Sequence, residues 1–262
     1  MKTSLALFTL GVAALCHAGL APAQDASRTP EQHNSADNGT DPTRVSRAMQ
    51  LKYEHLGLRQ DFSSDTLKLW YTQPLGAGIS AILKVPVTRV DMLGNGGFGL
   101  GDVSAQLGKV FGLNREGGHV VQGELIFDTA TRPELGGNQN VFKGTYVRAL
   151  FMDDGAILGP SFVHNVGVSG QADRPRVNLS TVDLYYVPKM ADPRNLVTYD
   201  PNVSYNWQNR TFFASLAVTV GRNLGPSPIG GNLFVLLKPA ILFGSDRPNN
   251  WGLELTYLII GF

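Results

Sequence analysis

The sequence predicts an all-β chain closed into an antiparallel transmembrane β-barrel of about twelve strands, and three observations carry that prediction. First, the last third repeats segments of about ten residues that alternate with period two. Val197, Tyr199, Pro201, Val203, Tyr205 and Trp207 stand against Thr198, Asp200, Asn202, Ser204 and Asn206. Phe212, Ala214, Leu216, Val218 and Val220 then stand against Thr211, Ser215 and Thr219. Residues 232–244 and 251–262 repeat that length, and the chain ends on Phe262. Second, no apolar run beyond the N-terminus reaches the roughly 18 residues that a spanning helix needs. Third, only 16% of the 262 residues are charged and 30 are glycine, against about 25% charged in soluble domains. A membrane barrel explains this balance, because its apolar residues are diluted two-fold by residues facing the lumen.

Residues 1–23 read as a secretory signal. Lys2 gives the positive start, 5–15 the apolar stretch, and Ala21-Pro22-Ala23 a small-x-small cleavage site. The single cysteine, Cys16, follows Leu15 rather than the small residue of a lipoprotein signal. The expected mature chain therefore has no disulfide or thiolate metal site. Loss of Lys2 takes the formal charge from +1 to zero, which gives no support for a nucleic-acid partner. Residues 24–44 are rich in Asp, Asn, Ser, Thr, Pro and Gly without periodicity, the composition of a disordered periplasmic tail. Residues 45–262 form the barrel.

Taken in order, 45–56 places Val45, Met49, Leu51 and Tyr53 on odd positions. Residues 66–74 alternate Leu67, Leu69 and Tyr71 with Lys68, Trp70 and Thr72, and a tight turn follows at 75–78. In 79–90, Ile79, Ala81, Leu83, Val85 and Val87 oppose Ser80, Lys84, Pro86 and Thr88. Pro86 removes a ladder donor and marks a bulge or a bent strand. Residues 102–113 set Val103, Ala105, Leu107 and Phe111 against Ser104, Gln106 and Gly108. Residues 119–129 set Val121, Leu125 and Phe127 outward and Gln122, Glu124 and Asp128 inward. In 141–151, Thr145, Val147, Ala149 and Phe151 oppose Tyr146 and Arg148, which are read as inward. The frames of 156–168 are balanced, so neither face is assigned. Residues 177–188 oppose Val182, Leu184 and Tyr186 to Thr181, Asp183 and Tyr185. Short and long connections alternate as far as 176. The pattern then breaks, with a connection at 208–210 that is short for a loop and one at 222–231 that is long for a turn. In the final strand Trp251, Leu253, Leu255, Tyr257 and Ile259 make the better lipid face, so Glu254 is expected in the lumen, with a register change near Gly261.

Beyond the signal the histidines are His33, His55, His119 and His164, and none has metal-ligand spacing with a neighbour. Ser161 and His164 are three apart and fall on opposite faces of a strand, so they make no nucleophile–base pair. The glycines of 94–101 lead into a strand, whereas a phosphate cradle needs a helix N-terminus. No enzyme activity and no cofactor or metal are expected. The expected lumen lining is Lys68, Trp70, Lys84, Gln106, Gln122, Glu124, Tyr146, Arg148, Asp183, Tyr185, Asp200, Lys238 and Glu254. Such a lining is either a wetted conduit for a small, partly apolar solute or a set of cross-strand ion pairs filling a narrow barrel.

Gly99-Leu100-Gly101-Asp102, Phe127-Asp128-Thr129-Ala130-Thr131, Arg176-Val177-Asn178 and the closing tract resemble a transporter family called "meta-pathway of phenol degradation". The resemblance runs from about Leu67 to Phe262, although Asp128-Thr129-Ala130 stands where members usually have Pro-Thr-Gly. It implies a barrel in the bacterial outer membrane that passes small hydrophobic or aromatic solutes, with the lipid bilayer as its surroundings. The terminal Phe262 matches the residue by which outer-membrane barrels meet their assembly machinery. The other readings are a non-conducting structural or sensing barrel and, last, a barrel enzyme.

Overall fold

The computed structural model describes residues 38–91, 97–170 and 176–262. The signal segment with Cys16, the tail up to residue 37 with His33, and parts of the glycine-rich and 169–176 connections lie outside the described residues.

The strands are β1 Ala48–Gly57, β2 Ser63–Gly76, β3 Ile79–Val90, β4 Gly99–Leu100, β5 Ser104–Asn114, β6 Gly117–Ile126 and β7 Gln139–Phe151. They continue as β8 Ile157–Gly170, β9 Asn178–Val187, β10 Asn195–Asn206, β11 Thr211–Pro226, β12 Asn232–Phe243 and β13 Trp251–Ile260. Twelve are long, and β4 is a two-residue strip against β3. Each long strand pairs antiparallel with the next, and β13 pairs with β1 from Ala48↔Ile260 to Gly57↔Trp251. The sheet therefore closes into a twelve-strand barrel without an edge, which satisfies every ladder without solvent.

Both ends of the barrel strands' chain lie at one rim, whose connections are 77–78, 115–116, 152–156, 188–194 and 227–231. The other end carries 58–62, 91–103, 127–138, 171–177, 207–210 and 244–250. One half of the break in alternation, the long connection at 222–231, has a simple cause; the connection at 207–210 is short although it lies at the loop end. Residues 222–226 are the end of β11, bent by a register shift between Asn223 and Gly225, so the rim turn there is only 227–231. Pro86 also has its explanation. The pairing of β3 with β5 stops at Lys84↔Ser104 and resumes on β4 at Val87↔Leu100, so the missing N–H falls where the partner changes.

Alternation divides the wall into two surfaces. Outward side chains include Phe212 at 66% exposure, Val182 at 62% and Leu107 at 60%, values that a water-facing surface avoids over so wide an area. Aromatic residues bound this apolar belt. Tyr71, Tyr146, Tyr186, Tyr199 and Tyr257 lie toward the rim, and Trp251, Tyr53 and Trp207 toward the loops. Asp65 and Arg89 are on the outward register at the loop end, Lys109, Arg148 and Arg222 toward the rim; among the described residues the middle of the belt carries no charged side chain.

Strand β7 corrects the expectation. Tyr146 is 41% exposed and pairs with the outward Val121 and Phe162. Arg148, two residues on and opposite His119, shares that outward register. Val147 and Ala149 are the inward residues, at 8% and 0% exposure. Near the rim the inner surface is itself apolar, so apolarity does not mark the lipid side there. The neighbouring β8, unassigned from sequence, turns Phe162 and Val168 outward and Ile157 and Ser161 inward.

Candidate lumen site

The inner surface has two layers. Toward the rim it is an apolar floor of Ala48, Leu196, Phe234, Leu258 and Ile260, all buried, with Leu236 packed against them. Above it lies a belt of ionisable and hydroxyl side chains, supplied by the inward positions of almost every strand. The belt opposes like charges in register: Lys52 faces Lys68, and Glu54 faces Glu254. Directly opposed like charges destabilise a sheet, and the diagonals resolve them. Lys52 Nζ lies 3.0 Å from Glu254 Oε1 and Lys68 Nζ 2.7 Å from Glu54 Oε1, with Lys68 also 4.0 Å from Glu254 Oε2.

On the adjoining wall, Lys84 donates to Gln106 Oε1 and Glu124 Oε1, both at 2.8 Å. Ser104 Oγ donates to the same Glu124 oxygen at 2.5 Å, and Lys143 lies 3.6 Å from the other. Trp70 joins the two groups, with Lys52 Nζ 4.2 Å and Lys84 Nζ 4.6 Å from its ring centroid. These cation–π contacts engage the indole with the protein's own ammonium groups. A third group joins Lys238 to Asp200 at 2.9 Å, with Asp183 beside Asp200 and accepting from Ser161 Oγ at 3.1 Å. Among the described residues, the buried Asp183 Oδ1 and Tyr185 hydroxyl have no hydrogen-bond partner. The Tyr185 ring lies flat over Gly159, where a β-carbon would sit 1.9 Å from it.

Of the expected lining, Lys68, Trp70, Lys84, Gln106, Gln122, Glu124, Asp183, Tyr185, Asp200, Lys238 and Glu254 occupy inward positions. Tyr146 and Arg148 do not. The final strand keeps its register to Ile260, where the pairing ends, and Gly261 follows with a φ of 79°. Sequence reasoning missed Lys52, Glu54 and Lys143. The first two alternate with Leu51 and Tyr53, a signal that strict parity in β1 would have caught. Lys143 was lost with the inverted frame of β7.

The two sequence motifs near residues 100 and 130 clasp each other at the loop end. Asp102 accepts backbone N–H groups from Thr129 and Ala130 on one oxygen and Gly137 on the other, at 3.2, 3.1 and 2.6 Å. Thr129 Oγ1 accepts from Val103 N, and Thr131 N donates to Leu100 O. The first glycine of that motif allows this approach: a β-carbon on Gly99 would be 2.6 Å from Thr131 Oγ1.

A search of solved structures finds this architecture elsewhere. An outer membrane channel from Pseudomonas putida F1 superposes with a TM-score of 0.66 at 12% identity, covering 86% of this chain and all of that one. The fold is that of an outer-membrane barrel. The NanC porin follows, with a TM-score of 0.56 at 10% identity over 82% of this chain and 99% of its own. No family model and no curated protein matches the sequence.

On the outer wall, His164 Nδ1 lies 3.0 Å from Ser180 Oγ, a cross-strand pair that spacing within one strand does not reveal. Trp207 Nε1 also donates to that hydroxyl at 2.9 Å, and among the described residues no carboxylate is bonded to the imidazole. The arrangement lacks the third group that orients a catalytic histidine. Ser161 faces inward while His164 faces outward, as the spacing predicts.

Proposed function

We propose that this barrel resides in a bacterial outer membrane and is a passive channel for small hydrophobic or aromatic solutes. The observation that carries the reading is the contrast between the two surfaces of one wall: an uncharged belt outside, and inside it a ring in which Lys52, Lys68, Lys84, Lys143 and Lys238 face Glu54, Glu124, Asp183, Asp200 and Glu254. Such groups need water, which a lumen supplies and hydrocarbon does not. The solved neighbours named as a channel and a porin support passage of solutes. The resemblance to the phenol-degradation transporters supports the aromatic class. With five cations against five carboxylates, the ring favours neither ion sign, and it suits a compact aromatic carrying a polar substituent. The lipid bilayer and, through Phe262, the barrel assembly machinery are the partners of this reading.

The test is planar-bilayer conductance of the purified protein, together with liposome swelling in phenol-sized solutes. Unitary current steps and swelling faster than in protein-free vesicles are expected. Their absence overturns the channel. A second reading, a barrel that does not conduct, is favoured by the ion pairs Lys52–Glu254, Lys68–Glu54, Lys84–Glu124 and Lys238–Asp200 within the ring.

A further inference from the structure

Two glycines oppose each other on the outer wall. Gly123 of β6 is the register partner of Gly144 of β7, and Gly144 in turn that of His164 of β8. Both take outward positions, between Val121 and Leu125 on one strand and between Phe142 and Tyr146 on the other. The side chains they lack leave a notch of about 390 Å³ in the apolar belt, floored by bare backbone and bounded by Phe142, Tyr146, Phe162 and His164.

Nothing within the wall calls for glycine at this place. Neither residue has a positive φ, and the ladder passes through both without a register shift. A β-carbon would meet the Phe142 ring at 3.4 Å from Gly123 and at 3.6 Å from Gly144, ordinary contact distances. Glycine inside a strand weakens it, and its other uses there are a bulge, a bend or the close approach of a ligand or another backbone. With bulge, bend and crowding set aside, approach from the outer side remains.

His164 narrows what approaches. An indole N–H only donates, so Trp207 Nε1 gives its hydrogen to Ser180 Oγ at 2.9 Å. That hydroxyl lies 3.0 Å from His164 Nδ1, and the pattern that uses every hydrogen has it donating to the ring nitrogen. The imidazole hydrogen then sits on Nε2, which has no partner among the described residues. A donor left unpaired against hydrocarbon is costly. The fitting molecule brings methylenes to the notch and an acceptor oxygen to its edge, and an acyl ester has both. Trp207 follows β10 at the loop end, the height at which indoles settle among lipid headgroups. The imidazole, one hydroxyl away from that indole, is within reach of the ester layer. A second barrel offers no such oxygen, because its ladder carbonyls are already bonded in the closed sheet.

We propose that the Gly123–Gly144 notch seats one acyl chain of a membrane lipid, whose ester carbonyl accepts a hydrogen bond from His164 Nε2. The proposal rests on the membrane residence in the proposed function and not on conduction.

Native mass spectrometry of the delipidated barrel in detergent, titrated with dioleoyl phosphatidylcholine or with its ether-linked analogue, tests this. Wild type is expected to retain one lipid and to hold the ester several-fold tighter than the ether. Gly123→Leu/Gly144→Leu fills the notch and is expected to lose the tight site. Gly123→Ala/Gly144→Ala, whose added carbons the wall accommodates, is expected to weaken it several-fold. Heat-modifiable migration on a gel shows which variants are folded. His164→Phe is expected to bind ester and ether alike. Retention by the folded alanine variant equal to wild type overturns the seat, as does equal binding of ester and ether by wild type. A species of two barrels that vanishes when the notch is filled, with no lipid retained, gives the notch to a second copy and overturns the proposal. Lipid retention as expected in a barrel that fails to conduct overturns the channel reading and leaves the seat standing.

Discussion

Lys52 Nζ stands 3.0 Å from Glu254 Oε1 across the junction where the first strand meets the last. The same carboxylate reaches Lys68 at 4.0 Å, and its loss leaves two ammonium groups facing each other in register. Glu254→Leu is therefore expected to destabilise the barrel by about 1–3 kcal/mol, the cost of a buried polar partner left unsatisfied. Urea unfolding in detergent micelles measures it. The double variant Lys52→Met/Glu254→Leu recovers part of the loss, because one cation is removed with the anion; no recovery would mean that the pair does not couple.

The two faces of the wall predict opposite tolerances. Leu69→Arg puts a charge in the apolar belt and is expected to cost about 2–4 kcal/mol in vesicle-folded protein. Asn202→Lys points inward, where its register partner is Asp183, and is expected to change stability little. Equal effects of the two substitutions would contradict the assignment of faces.

Gly159 is the seat of the Tyr185 ring, and any side chain there displaces it. Gly159→Val is expected to destabilise by about 1–3 kcal/mol, as overpacking does. Adding Tyr185→Ser should return most of that, since the clash disappears with the ring. The same unfolding assay reads both.

The clasp at the loop end depends on one carboxylate. Asp102→Ala frees the N–H groups of Ala130 and Gly137 and leaves Thr129 N only its bond to Phe127 O, so the 127–138 connection loses its carboxylate anchor. Limited proteolysis of the folded barrel should cut that connection faster in the variant, while the ladder of β6 and β7 stays protected.

A second clasp is sensitive to pH. Asp246 accepts from Thr211 Oγ1 at 2.5 Å and more weakly from Asn209 and Asn206, and these bonds hold its carboxyl below the ordinary value. A depressed folded-state value means that the stabilisation is complete above the unfolded value of about 3.9 and fades as the pH falls below it. Protection of the amides at 207–211, taken relative to their intrinsic exchange rates, is expected to fall on acidification through that range, and in Asp246→Asn to show no such step.

Most of the barrel was legible because its two solvents differ. In β2, β9, β10 and β13, Leu67, Val182, Val203 and Leu253 alternate with Lys68, Asp183, Ser204 and Glu254, and the sheet can turn only one way. The reading failed where that contrast fades. Val147 and Ala149 face an apolar floor, so β7 offered hydrophobic residues to both sides, and Tyr146 with Arg148 marks an interfacial height instead of a lumen. Residues 38–44, polar and unpatterned, give no local signal that Gly39 lies against Ile260 and Thr43 against Gly118. Such contacts depend on the closed wall, which no window of sequence contains. The Lys52–Glu254 pair spans 202 positions and escapes pattern reading for the same reason.

Because every long strand neighbours its successor and the last neighbours the first, the wall has no privileged starting point. Arg47 and Gly261 are already bonded across that junction. A linker bridging Phe262 to residue 47, with new termini cut in 207–210, would yield a circularly permuted chain with every ladder retained and the residues before 47 left out.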